Sequence, residues 1–243
     1  MDHRILSYNL YSPRPDDARR DRVLSVIRKI APDVMGLQEI TPVWKEILEK
    51  AFGRQYAFVG DAREEGRDRE YAPVLYNRRK YDCTEWKTYW LTDTPEQPSK
   101  LEISKYYRIC TVAKLKRKAD GETLLFASVH MDYVWEAAAE QAKILLRIMD
   151  RYERMPSVIC GDFNCSSVSD AYATLASSRF RNVAETAKMT AIAPTFNAFG
   201  KRYDTIDFVF ADQIGAKCLL VPEVKVAGEY PSDHNPLICE FSI

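Results

Sequence analysis

Residues 155–164 read MPSVICGDFN, an apolar run that ends in the polar pair Asp162 and Asn164. The apolar part has the length and composition of a buried strand. A carboxylate and an amide at the end of such a strand are held rigidly at the edge of a sheet. An Asx turn that only ends the strand is the structural alternative for these two residues.

The same arrangement recurs along the chain, where apolar strands carry polar residues at their ends. They are Asn9 in 4–9 (RILSYN), Glu39 in 33–39 (DVMGLQE), His130 in 122–130, Asp207 in 205–211 (TIDFVFA), and Asp233 and His234 ahead of 235–243. Mg²⁺ and Mn²⁺ prefer oxygen ligands. Asn9, Glu39 and Asp233 supply such oxygens, so we predict that the chain binds Mg²⁺ or Mn²⁺.

Helical and strand patterns alternate over the whole length. Helices are predicted over 18–30, after Thr41-Pro42, over 135–152 and after Ser169; further strands are predicted over 71–77, 82–91, 108–117 and 216–226. The Asp-Gly turn in 118–122 predicts that 108–117 and 122–130 pair as a hairpin. Segments 60–70 and 92–106 are predicted to be surface loops. Two mixed sheets packed face to face with helices outside would satisfy these elements, in one domain over 1–243.

The composition is that of a globular protein. A chain of 243 residues buries roughly 70% of its unfolded surface and needs no disulfides. Basic and acidic residues both number 35, without the basic excess typical of phosphate-binding nucleic-acid proteins. The six cysteines are widely spaced, with no CxxC pair, which favours reduced thiols. With no signal-peptide pattern or membrane-length apolar run, we expect a cytoplasmic protein. Its oligomeric state is left open, with a monomer favoured.

Taken in chain order, the polar motifs resemble those of a known family. The series Asn9, Leu37-Gln38-Glu39, Gly161-Asp162-Phe163-Asn164, Ile206-Asp207 and Ser232-Asp233-His234 is similar to the motif set of the endonuclease/exonuclease/phosphatase family. The resemblance implies a four-layer α/β/β/α sandwich with its cleft at one edge of the sheets. It also implies a divalent-metal-dependent phosphoesterase. WLTDTPEQPS (90–99) resembles a signature of small bacterial members of uncharacterised substrate.

The resemblance implies a role for each residue near the metal. Glu39 would be the principal metal ligand, with Asn9 beside it and Asp233 on the same side. Asp162 would position the attacking water or a second metal. Asn164 would donate hydrogen bonds to the phosphoryl oxygens. Whether one metal or two act stays open.

The resemblance also implies two histidine–carboxylate pairs. His234, oriented by Asp207, would act as base or as a donor to the phosphate. His130 would pair with Glu70, as in deoxyribonuclease-like members, and Arg108 matches a phosphate-binding arginine. Because a carboxylate fixes the tautomer of a histidine and favours its charged form, the physical chemistry agrees with these roles.

Three further expectations concern the surface. Trp135 would stack on a base or cap a hydrophobic pocket. His3, near the terminus, is expected to be exposed. The basic cluster of Arg63, Arg67, Arg69, Arg78, Arg79 and Lys80 is interleaved with acidic residues, so we expect a solvated charged face rather than a nucleic-acid grip.

The sequence thus predicts hydrolysis of a phosphoester, with a phosphodiester in nucleic acid or derived from a nucleotide preferred. A phosphatase or phosphodiesterase of a small or lipid-derived phosphate is the alternative. A catalytically inactive binding protein on the same fold is disfavoured, because every polar residue of the motif set is present.

Overall fold

The computed structural model describes residues 2–66 and 69–242. The strands in these residues are β1 (Asp2–Asn9), β2 (Val34–Gln38), β3 (Tyr56–Val59), β4 (Val74–Asn77), β5 (Tyr81–Trp90), β6 (Ile109–Arg117), β7 (Thr123–His130), β8 (Ser157–Asp162), β9 (Arg181–Asn182), β10 (Met189–Ile192), β11 (Asp207–Asp212), β12 (Gly215–Val221) and β13 (Leu237–Ser242). The helices are α1 (Asp17–Ile30), α2 (Pro42–Phe52), α3 (Trp135–Met149), α4 (Asp170–Ala176) and α5 (Val183–Thr186).

The strands form two mixed sheets. The first has the order β10-β12-β13-β1-β2-β4-β3, and the second has the order β5-β6-β7-β8-β11-β9. Near the middle of each sheet two neighbours run parallel, β1 with β2 and β7 with β8. The strands on either side of these pairs run antiparallel to them.

Three apolar layers hold four layers of structure together. Side chains from both sheets, among them Val34 and Val158, fill the space between the sheets. Met35, the neighbour of Val34, packs on the opposite face against the layer of α1 and α2. The outer face of the second sheet packs against α3 and α4, for example through Leu145. This alternation along the strands produces the predicted four-layer α/β/β/α sandwich, which is confirmed.

Local signals for helix starts and for the hairpin were correct. Thr41 caps α2 by accepting a hydrogen bond from the Trp44 N–H, and Ser169 caps α4 in the same way. The strands β6 and β7 pair antiparallel as the Asp-Gly turn predicts. Helix α3 ends at Met149, three residues before the predicted end. The cysteines are all free thiols, and none of the described helices combines the length and apolar character needed to cross a bilayer.

Two expectations about the surface were wrong. His3 is only 1% exposed, because β1 lies inside the first sheet and places this ring against Phe241. Arg63 is also buried and does not belong to the solvated face, whereas Arg78 and the two residues after it are exposed as expected. Arg67 lies outside the described residues.

Candidate active site

The strand order brings the predicted residues to one edge of the sandwich. The parallel pair of β1 and β2 ends there with Asn9 and Glu39. In the second sheet His130, at the end of β7, is in register with Asp162 at the end of β8. Asp162 is in turn in register with Asp207, the first residue of β11. Residues distant in sequence are therefore neighbours in a cleft of about 910 Å³.

Gly161 makes the close approach of β7 and β8 possible. A Cβ atom at this position would lie 2.0 Å from the carbonyl oxygen of Val129, and the φ angle of Gly161 is +152°. A side chain would force the two strands apart at the residue before Asp162. The close packing of β7 and β8 at the edge of the cleft therefore requires a glycine at this position of the motif.

Asn9 links the two carboxylates at the centre of the site. Its Nδ2 donates to Glu39 Oε1 at 3.1 Å and to Asp162 Oδ2 at 3.0 Å. The second oxygen of Glu39 accepts the backbone N–H of Ser12 at 2.7 Å. Glu39 also has a left-handed backbone with φ of +58°, which is uncommon outside glycine. Two acidic groups are therefore held close together by donors and by a strained backbone.

His234 and Asp207 form the predicted dyad, with 2.8 Å between Nδ1 and Oδ2. Burial opposes the charged imidazolium, but the hydrogen bond and charge of Asp207, with the charges of Asp162 and Asp233, raise the pKa of His234 to about 10. The other ring nitrogen lies 3.7 Å from Asp162 Oδ2. Burial and the charge of Asp207 raise the pKa of Asp162 to about 7. In this state His234 is protonated and Asp162 titrates near neutrality.

The predicted dyad of His130 and Glu70 is not formed. Glu70 instead accepts a hydrogen bond from Arg63 at 2.6 Å, and His130 Nε2 lies 3.6 Å from Asp162 Oδ2. Burial, together with the charges of Arg108 and Arg63, keeps the pKa of His130 well below its usual value. A neutral imidazole competes poorly with a buried guanidinium for the Glu70 carboxylate, so Arg63 is a site residue that the sequence did not reveal.

Arg108 is the buried cation of the cleft that lacks a hydrogen-bonded partner at Nε and Nη1. The residue is 5% exposed, and its Nε is 3.9 Å from the Asp132 carboxylate, beyond hydrogen-bond distance. Burial and the nearby charge of Arg63 lower the pKa of Arg108. Buried polar groups are nearly always satisfied. An unsatisfied guanidinium that lines a cleft is suited to an anionic ligand.

The remaining predicted residues also line the cleft, in different settings. Asn164 donates to the Met131 carbonyl at 2.9 Å, which leaves its second amide hydrogen for another acceptor. Asp233 lines the same cleft as Glu39, and burial together with the charge of Glu39 raises the pKa of Asp233 to about 6. Trp135 stands at the rim with 79% of its surface exposed.

The donor set fits a hard divalent cation. Ligand atoms of Glu39, His130 and Asp162 all lie within 4.8 Å of one another, and so do those of Asp162, Asp207 and His234. Carboxylate oxygens are the ligands that Mg²⁺ and Mn²⁺ prefer. The Asn9 amide lies between Glu39 and Asp162 with its nitrogen toward them, while its oxygen accepts the backbone N–H of Tyr11. The amide would have to turn over to offer that oxygen to a cation.

Comparison with known proteins agrees with this fold. Residues 6–234 match the model of the Endonuclease/Exonuclease/phosphatase family. The match spans nearly the entire chain, and the chain belongs to this family.

Solved structures of related proteins share the whole architecture. An endonuclease/exonuclease/phosphatase from Bacteroides vulgatus is 30% identical with a TM-score of 0.92, covering 100% of this chain and 99% of that one. A mannosyl-6-phosphatase from Bacteroides thetaiotaomicron is 25% identical with a TM-score of 0.91, covering 99% and 100%. Nocturnin of Drosophila melanogaster is 23% identical over 310 residues, a match that takes in 100% of this chain and 47% of that protein. The chain thus spans about half the length of this curated relative.

Proposed function

We propose that the protein hydrolyses a phosphoester with the help of a divalent metal ion. The observation that carries the proposal is the convergence of Glu39, Asp162 and the His234–Asp207 dyad on the cleft that holds the unsatisfied Arg108. Carboxylates for a metal, a charged histidine and a free guanidinium are the groups that stabilise a phosphoryl transition state.

Each side chain contributes a separate part of the reaction. Protonated His234, held in one orientation by Asp207, donates a hydrogen bond to a phosphoryl oxygen as charge develops. Asp162, whose pKa is raised to about 7, orients the attacking water and accepts its proton. Arg108 binds a phosphoryl oxygen through the N–H groups that have no other partner. Asn164 offers its second amide hydrogen to the same phosphate.

Mg²⁺ or Mn²⁺ would be held by Glu39 with Asn9 and Asp233, and when bound it supplies Lewis-acid polarisation of the phosphoryl oxygen. The Asn9 amide would then turn its oxygen toward the ion. The protein's own contribution is to keep Glu39 fixed before the metal arrives, through the Ser12 N–H and the left-handed backbone of Glu39.

The type of ester is tested by the choice of substrate. The sequence favours a phosphodiester, and the mannosyl-6-phosphatase relative favours a comparison with monoesters. Hydrolysis of bis(p-nitrophenyl) phosphate and p-nitrophenyl phosphate would be measured with EDTA, Mg²⁺ and Mn²⁺. Cytoplasmic location and a monomeric state stay predictions.

The same assay tests the site. We expect Glu39→Gln, Asp162→Asn and His234→Gln each to lower kcat by about 10²-fold or more. Asp93→Asn, on an exposed carboxylate away from the cleft, is the matched control and should keep full activity. Full activity of His234→Gln would refute the proposed chemistry.

A further inference from the structure

The charges that line the cleft do not suit a polyanion. Within the described chain the lining contains six carboxylates and three arginines. Arg63 is paired with Glu70 at 2.6 Å, and Arg202 is paired with Asp204 at 2.5 Å. Arg108, deep in the cleft, is the arginine of the three without a hydrogen-bonded carboxylate. One phosphate is therefore accommodated, whereas the further phosphates of a nucleic acid would need additional cations.

One wall of the cleft mouth is aromatic. The rings of Tyr106 and Tyr133 meet edge to face with centroids 6.1 Å apart. Guanidinium groups of Arg63 and Arg108 lie 5.3 Å and 5.1 Å from the centroid of the Tyr106 ring and fix it in place. Trp135 follows at the start of α3 with 79% of its surface in solvent. An indole this exposed at the mouth of a cleft offers a flat apolar face to a ligand.

Other rim positions carry hydrogen-bond acceptors. Asp170 is the first residue of α4, and Asp204 lies in the segment between Phe196 and β11. Ionised carboxylates accept hydrogen bonds and donate none. Asp204 pairs with Arg202 through Oδ2 and keeps Oδ1 as an acceptor. Both carboxylates can accept from hydroxyl groups and neither offers a positive charge to a further phosphate, so the outer cleft is suited to a ligand with many hydroxyls.

Building on the hydrolysis proposed above, we infer that the substrate is a phosphomonoester of a small polyhydroxylated alcohol, of the sugar-phosphate class. The phosphate contacts Arg108, one face of the sugar packs on Trp135, and sugar hydroxyls donate to Asp170 and Asp204. In the reaction a bond forms between the water oxygen and phosphorus, and the bond from phosphorus to the sugar oxygen breaks. The proton that the water gives to Asp162 is returned to the sugar oxygen, so the products are inorganic phosphate and the free sugar.

The test compares kcat/KM for three substrates in Mg²⁺ and in Mn²⁺. They are a hexose 6-phosphate, phosphocholine and a single-stranded oligonucleotide. We expect the hexose phosphate to exceed the other two by about tenfold or more, since the described part of the rim has no free cations for a polyanion and phosphocholine has no hydroxyl group to donate to Asp170 or Asp204. Preference for the oligonucleotide or for phosphocholine would overturn the inference while leaving the hydrolase function intact. If none of these esters nor the nitrophenyl esters is cleaved, the proposed hydrolysis itself fails, and the substrate assignment with it.

A pair of tryptophan variants tests the aromatic wall directly. Trp135→Ala should raise KM for the hexose phosphate by about tenfold with little change in kcat, because the ring binds the sugar and does not touch the reacting atoms. Trp86→Ala, at a residue that is 41% exposed on β5 and outside the cleft, is the matched control and should change neither constant. An unchanged KM in Trp135→Ala would contradict the proposed subsite.

Discussion

Arg108 combines a functional benefit with a cost in stability. A buried N–H group without an acceptor costs about 1–3 kcal/mol, and Arg108 has two such nitrogens. We therefore expect Arg108→Met to lower kcat/KM by about 10²-fold while the free energy of unfolding stays the same or increases. Steady-state kinetics and urea unfolding of the same preparations would check both. A variant that unfolds more readily but keeps its activity would assign Arg108 a purely structural role.

The matched substitution Arg108→Lys separates charge from geometry. Lysine keeps the positive charge but lacks the planar fork of N–H groups that fits phosphate. We expect a kcat/KM between those of the wild type and Arg108→Met. Activity equal to that of the wild type would show that charge suffices.

His3 gives the protein a pH-dependent stability that is independent of the cleft. Its Nε2 accepts from Arg117, which only donates, and its Nδ1 contacts the Tyr81 hydroxyl. Burial and the charge of Arg117 lower the pKa of His3 to about 4 from 6.5. The unfolded state thus binds more protons between these values, so stability is full above pH 6.5 and is lost as the pH falls toward 4.

The test is urea unfolding of the wild type and His3→Gln between pH 7.5 and 4.5. We expect the wild type to lose more stability over this range, with a difference in slope of up to about one proton. Parallel curves for the two proteins would argue against a neutral buried His3.

Individual site residues were predictable from sequence to different degrees. Glu39 and Asp162 were recognisable because each ends a buried strand, and the resemblance added their roles. The pairing of Glu70 was not recognisable, because Arg63 reaches it from an irregular charged loop with no periodic pattern. Which carboxylate a buried arginine selects depends on the loop's path, and local sequence does not encode that path.

At the level of elements, we expect that a substitution at the C-terminus of α1 can raise the stability of the protein. Ala31 follows the helix with a left-handed backbone, φ of +49°, and its N–H donates to the Ile27 carbonyl. Glycine adopts this conformation without the Cβ clash. We expect Ala31→Gly to raise the free energy of unfolding by about 0.5–1 kcal/mol.

Ala139→Gly is the control for this substitution. It makes the same chemical change inside α3, where glycine costs about 1 kcal/mol. The two variants should therefore shift the midpoint of thermal unfolding in opposite directions. Destabilisation by both would mean that Ala31 is not strained.

Elements with a strong burial pattern were the predictable ones. Strands β6 and β7 are buried over nearly their whole length and are joined by the Asp-Gly turn. Helix α1 has apolar residues at helical spacing and a clear end signal. Strand β10 was missed because all four of its residues are exposed, so no apolar periodicity marks it. Strand β3 has only four residues, and its pairing with β4 depends on tertiary contacts.

At the level of the molecule, the sandwich explains why a site spread over more than two hundred residues is compact. Two central parallel pairs end at the same edge, and the antiparallel β11 begins there. Periodicity could predict two kinds of element and a layered packing, but not the order of strands in each sheet. Strand order follows from long-range pairing, and the family resemblance supplied what local patterns lack.

The same convergence concentrates negative charge, and this predicts how the whole molecule responds to metal. Glu39, Asp162 and Asp233 line the same cleft. Burial raises the pKa of both aspartates, together with the charge of Asp207 for Asp162 and the charge of Glu39 for Asp233. A divalent cation that binds the folded state stabilises it by about 2.7 kcal/mol at a concentration one hundred times Kd. We expect saturating Mg²⁺ or Mn²⁺ to raise the midpoint of thermal unfolding by several degrees, about 2–4 °C per kcal/mol for a chain of this size.

Glu39→Gln distinguishes binding at this cluster from a general salt effect. Without metal the variant should be about as stable as the wild type. One of the repelling charges is gone and the remaining oxygen accepts the Ser12 N–H, but the amide nitrogen cannot accept from Asn9 Nδ2. With metal it should gain little, and NaCl of equal ionic strength should not reproduce the wild-type shift. An equal metal-induced shift in both proteins would place the cation elsewhere, and no shift in the wild type would contradict the metal site itself.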